Sequence, residues 1–320
     1  VATKKEGSHR TRVSYQTQGM SWWADYNLIF SEAADKAVDQ CKLDVSAWVS
    51  IINQSGASYA DTKLKLIAGD VQRAQPALPK GRAMMRAEVM AAPVAAAPEF
   101  SEKTFFEYHL YTLSQPTTLP ENSTKQIELF PRASDVDCEK LTVYDGVGPG
   151  FGFYGGLNTD QSFGSQSNKK VDVYLTFKNS KQNNMGMPLP QGRVRVSKLD
   201  DADQSLEFIG EDVIDHTPRD ETIRIKLGQA FDIVGERRQI DYKIDTKRKM
   251  IEEEIEVKVR NQKDEASKVI VAEHLYRWTN WELISQSHKF EKKDAHTIHF
   301  PVRLSKGQEG VVRYRVRYTW

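Results

Sequence analysis

Cysteine is the scarcest residue of this 320-residue chain, with two copies, Cys41 and Cys138, neither in a C-x-x-C pair. That excludes cysteine-based zinc sites and thioredoxin-like redox motifs. A disulfide and two separate buried thiols both stay open. No run of 18 apolar residues occurs, so no transmembrane helix is expected. The first residues, VATKKEGSHRTR, have no apolar core of the kind a signal peptide needs. Net charge is nearly absent as well: 45 Lys and Arg against 44 Asp and Glu leave +1. No global field therefore draws the chain to nucleic acid. H-E-x-x-H and G-x-S-x-G are missing too. His296 and His299 form H-x-x-H, but positions three apart on a strand face opposite ways and cannot share an ion. His109, between Tyr108 and Leu110, reads as structural. No metal and no cofactor is expected.

One stretch argues the other way. GFGFYG, residues 150 to 155, satisfies G-x-G-x-x-G and follows the strand-like KLTVYDG after three residues. A dinucleotide site needs a helix next, whose N-terminal N–H groups hold the pyrophosphate. The downstream residues, GLNTDQSFGSQSNKK, have no apolar side chains at helical spacing. A flexible glycine-rich loop is the expectation.

Strand patterns fill the rest. LDVSAWVSIIN and TKLKLIAGDV alternate apolar with polar residues, as do the segments around Ile255–Val259 and Val312–Tyr318. Between Arg73 and Lys103 the texture turns rich in Ala, Pro and Met, with prolines at 76, 79, 93 and 98. That segment reads as an inserted linker or surface loop. An internal repeat is visible: strands end at Asn53, Asn179 and Asn261, and later elements lead through Thr124, Thr222 and Thr297 into further strands. Short strands at such spacing predict an all-β chain of tandem immunoglobulin-like sandwiches. The expected domains are 1–136 with its insert 73–103, 137–238 and 239–320.

Polar residues concentrate in GEDVIDHTPRDE and AFDIVGERR. Glu211, Asp212, His216 and Glu236 would be the acid–base groups if the chain were a hydrolase acting on polysaccharide. The alternative is an ion-pair network at a domain joint, with Arg237 and Arg219 pairing Glu211 or Asp212. Trp22, Trp23, Trp278 and Trp281 are candidates for stacking on sugars or anchoring a partner. The C-terminal VVRYRVRYTW has the alternation of a last outer-membrane barrel strand, and equally of a final sandwich strand.

Several of these segments in order, GDV (69–71), EYHLYTL, PTTLPENSTKQIEL, PLPQGRVRV, GEDVIDHTPRDE and LGQAFDIVGERR, resemble the bacterial domain of unknown function 4139 of mucoidy-inhibitor-like proteins. The resemblance covers most of the chain from about Val13 onward. It implies an exported or envelope-associated protein, periplasmic, outer-membrane-associated or extracellular. Relatives of that kind carry a signal peptide and a further N-terminal domain, so this chain is expected to be a fragment or processed product. The family brings no established reaction. The function expected is a scaffold, adhesion or interaction module whose partner is an envelope protein, a polysaccharide or a second copy. In an oxidising compartment Cys41 and Cys138, each opening a strand, are expected to pair.

Overall fold

The computed structural model describes residues 7–32, 39–69, 100–147, 151–165, 167–200 and 202–320. It is all-β. The strands are β1 (Met20–Glu32), β2 (Gln40–Asn53), β3 (Tyr59–Thr62), β4 (Lys65–Ala68), β5 (Phe100–Phe105) and β6 (Tyr108–Leu113). Then come β7 (Thr117–Leu119), β8 (Ser123–Asp145), β9 (Val171–Lys178), β10 (Gly192–Leu199), β11 (Leu206–Ile214), β12 (Thr222–Gln229) and β13 (Ile233–Asp245). The last are β14 (Met250–Asn261), β15 (Ser267–His274), β16 (Trp281–Gln286), β17 (Glu291–Lys292), β18 (Thr297–Leu304) and β19 (Glu309–Thr319). A single 3-10 turn, Lys181–Asn183, is the only helical element among the described residues.

The chain divides into two compact units, Val1–Asp25 with Ala47–Pro131, and Tyr26–Ser46 with Arg132–Trp320. Positions 136 and 238, expected as domain ends, fall inside β8 and β13. Of the expected insert, residues 73–99 lie outside the described residues. Phe100 to Lys103 belong to β5, hydrogen-bonded to β6.

In the first unit β4, β6 and β5 form a three-stranded sheet and β3 pairs β7. The inward positions Leu66, Ala68, Phe100, Tyr111 and Leu113 are all buried, the period-2 burial that the alternating sequence dictates.

The second unit takes in the later part of β1, the first part of β2 and the later part of β8, in the strand order β11-β10-β1-β2-β8, which continues through β9 to β12. The two ends of this array meet. The Asp212 carboxylate of β11 accepts the backbone N–H of Lys226 in β12 at 2.7 Å. A Cβ added at Gly210 would stand 2.5 Å from the Leu227 carbonyl, so only glycine allows that approach. Cys41 of β2 and Cys138 of β8 are joined in a disulfide, Cα atoms 4.9 Å apart. Farther along, β13-β14-β19-β16 form a second sheet. Its Ile255, Val257, Val312 and Val316 share one core with Val269 and Val271 of β15 and Phe300 of β18. Burying each such side chain contributes about 1.5–3 kcal/mol. The C-terminal β19 lies between β14 and β16, with Val312, Tyr314, Val316 and Tyr318 all buried. Its apolar face packs on protein.

The repeat seen in the sequence has a physical basis. Asn53, Asn179 and Asn261 are each 0–1% exposed. Each side-chain amide donates to backbone carbonyls across a turn: Asn53 to Leu119 and Pro120, Asn179 to Met187 and Pro218, Asn261 to Glu265 and Ser305. Each side-chain oxygen accepts a backbone N–H, from Ser55, Gly186 and Lys263. Two residues after Pro120, Pro218 and Ser305 stand Asn122, Asp220 and Gly307, with φ of 53°, 65° and 66°. Those are the residue types that tolerate the left-handed region. The third repeat therefore closes on the Ser305 turn before β19. This corrects the expected partner, the turn before Thr297: Thr297 opens β18, in the opposing sheet.

Candidate functional site

The densest polar assembly among the described residues is buried within the C-terminal core, beneath residues 151–165. Alternation puts Arg237 on the inner face of β13, Glu253 on that of β14 and Glu273 on that of β15; all three are at most 6% exposed. Arg237 Nε donates to both oxygens of Glu273, at 3.1 and 3.0 Å, and Tyr314 donates its hydroxyl to the same carboxylate. Arg277, 1% exposed, donates through Nε to Glu253 at 2.9 Å. Glu253 also accepts from Tyr318 and Gln239. The remaining guanidinium N–H groups turn to backbone. Arg277 reaches the carbonyls of Asp160 at 2.6 Å and Phe163 at 3.0 Å, and Arg237 that of Gly164. Each buried charge thus has a counter-charge and further hydrogen bonds, the condition under which burial is tolerated. Both carboxylates accept hydrogen bonds on both of their oxygens.

Two glycines make the room. A Cβ at Gly146 would stand 2.7 Å from the Arg237 side chain, and one at Gly235 would stand 2.1 Å from the Tyr144 ring. Tyr144 hydrogen-bonds the Asn168 carbonyl, and burial pushes its phenol up to about 12. The G-x-G-x-x-G stretch is set in this context. Gly150 lies outside the described residues. After Gly155 the chain makes turns rather than a helix, so no helix N-terminus faces a pyrophosphate.

Beside the arginines, Asp145 at the end of β8 meets His274 at the end of β15, Oδ2 to Nε2 3.0 Å. The other ring nitrogen lies 3.3 Å from the Thr297 hydroxyl. The order hydroxyl, imidazole, carboxylate matches a hydrolytic triad. Thr297 is only 8% exposed, however, and its side chain also bonds Tyr276 and Asp294. Tyr276 stacks on His274 at 5.0 Å, and Phe153 stacks on His296 at 4.6 Å. The group is a packed brace at the strand ends. Burial alone would lower the His274 pKa; the hydrogen bond and charge of Asp145, with Glu273 and Asp294, outweigh it and raise it.

The acid–base residues expected from the sequence do not converge. Glu211 is exposed and pairs with Arg195 across the β10–β11 ladder at 3.5 Å. Asp212 closes the strand array onto Lys226. His216 is exposed and accepts the Gln191 backbone N–H. Glu236 faces Arg238 and Arg260 at 3.8 and 3.4 Å. The expected pairing of Arg237 with Glu211 or Asp212 is corrected too: β11 and β13 belong to different sheets, and Arg237 points into the core. Arg219 donates to the Gly186 carbonyl rather than to a carboxylate. Trp22 and Trp23 are both partly buried, and the Trp23 indole N–H donates to Asp25 at 2.6 Å. Trp278 and Trp281 pack on the C-terminal core, and Lys292 lies over the Trp281 ring at 4.8 Å. None of the four is a fully exposed platform.

Sequence reasoning missed Glu253, Glu273 and Arg277. For the two glutamates a signal existed: Ile251-x-Glu253-x-Ile255 and Val269-x-Val271-x-Glu273 each put a charge on an apolar face. Arg277 lies just past the strand and gave none. The outer face of β14 and β19 completes the charge pattern. Glu252, Glu254 and Glu256 stand opposite Arg317, Arg315 and Arg313 in register, and all three pairs form ion pairs. Hydrogen bonds from Arg238 and then Arg313 hold Glu256 below the usual carboxylate range, despite its burial. No group of three His, Cys, Asp or Glu among the described residues is arranged to hold a metal ion. No family model matches the chain, and no curated protein matches it.

Proposed function

We propose that the chain is a non-enzymatic scaffold or adhesion module of a bacterial cell envelope, built of tandem immunoglobulin-like sandwiches, that docks another envelope component through loops and strand edges. The observation that carries this reading is the fate of three carboxylates of the 211–237 region: Glu211, Asp212 and Glu236 are each taken up by a neighbouring cation or backbone amide. The thrice-repeated asparagine turn supports a tandem arrangement of like modules. The disulfide fits an oxidising compartment, as the resemblance to mucoidy-inhibitor-like proteins implies. Cross-linking in intact cells, then affinity capture and peptide mapping, tests the reading. A reproducible adduct with one envelope component, mapped to loops or strand edges, is expected. Recovery of the chain without any adduct, with the bulk of it in the cytoplasm, contradicts it.

A further inference from the structure

The β5–β6 hairpin turns through two residues, Phe106 and Glu107. The first central position of such a turn favours glycine or asparagine, because its φ is positive. Here it is Phe106, with φ of 59° and 80% exposed. A bulky residue is rare in that region, and strain of this kind concentrates at functional positions. The ring is not drawn inward for its own burial; it lies 6.2 Å from the Tyr108 ring. Tyr108 in turn lies over Gly69, where a Cβ would stand 2.7 Å from it.

The sheet behind the tip has two unlike faces. Its inner face buries Leu66, Ala68, Phe100, Tyr111 and Leu113, and on the outer face Leu110 of the central strand is buried as well. The ladder places Ile67 beside Leu110 and Lys103, Phe105 beside Tyr108, and Lys65 beside Thr112 on the outer face. Ile67 is 47% and Phe105 55% exposed. Lys65 and Lys103 are exposed and form no ion pair among the described residues. The nearby Glu102 sits on the inner face, held by His109 at 2.7 Å. The outer face therefore runs from aromatic at the tip to Lys103 about 7 Å behind Phe105 and Lys65 about 14 Å behind it, two and four residues along the ladder, with Glu107 the one acidic residue of the turn. That order matches a bilayer surface, where aromatic rings sit at headgroup depth and lysines meet the phosphates above them. A protein pocket would accept the rings without needing unpaired lysines behind them.

We propose that this hairpin is a membrane-surface anchor: Phe105 and Phe106 enter the interface of an anionic bilayer, and Lys65 and Lys103 meet its phosphate headgroups. The inference does not rest on the scaffold reading. It is tested with the purified full chain, by flotation with phosphatidylcholine vesicles with and without phosphatidylglycerol. The chain should float with the anionic vesicles, about tenfold or more better than with the neutral ones at low salt. Phe105→Ser with Phe106→Ser should abolish flotation, and Lys65→Glu with Lys103→Glu should remove the lipid preference. Melting temperatures report whether each variant is folded, and Phe106→Gly, which relieves the backbone, serves as the stable alternative. A Phe106→Cys chain carrying an environment-sensitive fluorophore should shift to the blue only when anionic vesicles are added. Absence of flotation with either vesicle, as a protein partner would give, overturns the proposal. So does flotation indifferent to the aromatic substitutions, or a fluorophore already in apolar surroundings without lipid.

Discussion

Arg237 and Glu273, on strands of two facing sheets, form a salt bridge with side chains 6% and 1% exposed. The pair closes the C-terminal core from inside, while the same guanidinium holds the Gly164 carbonyl. Truncating one partner leaves the other charged and dry. Arg237→Ala should therefore destabilise the fold by about 3–5 kcal/mol in equilibrium unfolding. Glu211→Ala, which removes an exposed pair with Arg195, should cost no more than about 1 kcal/mol.

The asparagine turns make a prediction in triplicate. Each amide, on a side chain that is itself buried, ties together two or more backbone carbonyls across a turn and also holds a backbone N–H. Asn53→Ala, Asn179→Ala and Asn261→Ala should each cost about 2–4 kcal/mol, read from chemical denaturation of the three variants. Aspartate at these positions should be no better than alanine, since it presents an acceptor to acceptors.

These two features divide sharply in how far the sequence revealed them. The asparagines stood out because each ends an alternating strand before a polar turn, which is local information. Their carbonyl partners lie on distant turns, so alternation alone points the third to the Thr297 element, whereas its partner is Ser305. All-β character and the strands were legible from period-2 alternation. The polar cluster at 210–237 was not, because residues near in sequence there are carried by strands of different sheets. β11 and β13 enter different sheets, and the true partners of Arg237 are Glu273 of β15 and the Gly164 carbonyl.

His274 gives the chain a pH dependence with a definite sign. Its folded pKa is raised above the unfolded value, because the hydrogen bond and charge of Asp145 outweigh burial. The stabilisation is then fully present below the unfolded pKa and lost as pH rises through the folded one. The melting-temperature gap between the native chain and His274→Gln should be widest near about pH 5.5 and narrow toward about pH 9.

The disulfide spans a sequence separation of 97 residues. In the chain-entropy model such a bridge stabilises by about 4–5 kcal/mol, with smaller gains common in practice. Cys41→Ser with Cys138→Ser should unfold at lower denaturant than the oxidised chain, and dithiothreitol should lower the native midpoint but not that of the variant.

The central claim of the proposed function is that the carboxylates of the 211–237 region serve ion pairs and strand contacts rather than acid–base chemistry. The most direct measurement is release of new reducing ends from envelope polysaccharide, by the native chain and by a Glu211→Gln, Asp212→Asn, Glu236→Gln variant. Both are expected to stay at the level of a protein-free control. Release by the native chain that disappears in the variant, with its melting temperature unchanged, would contradict the claim.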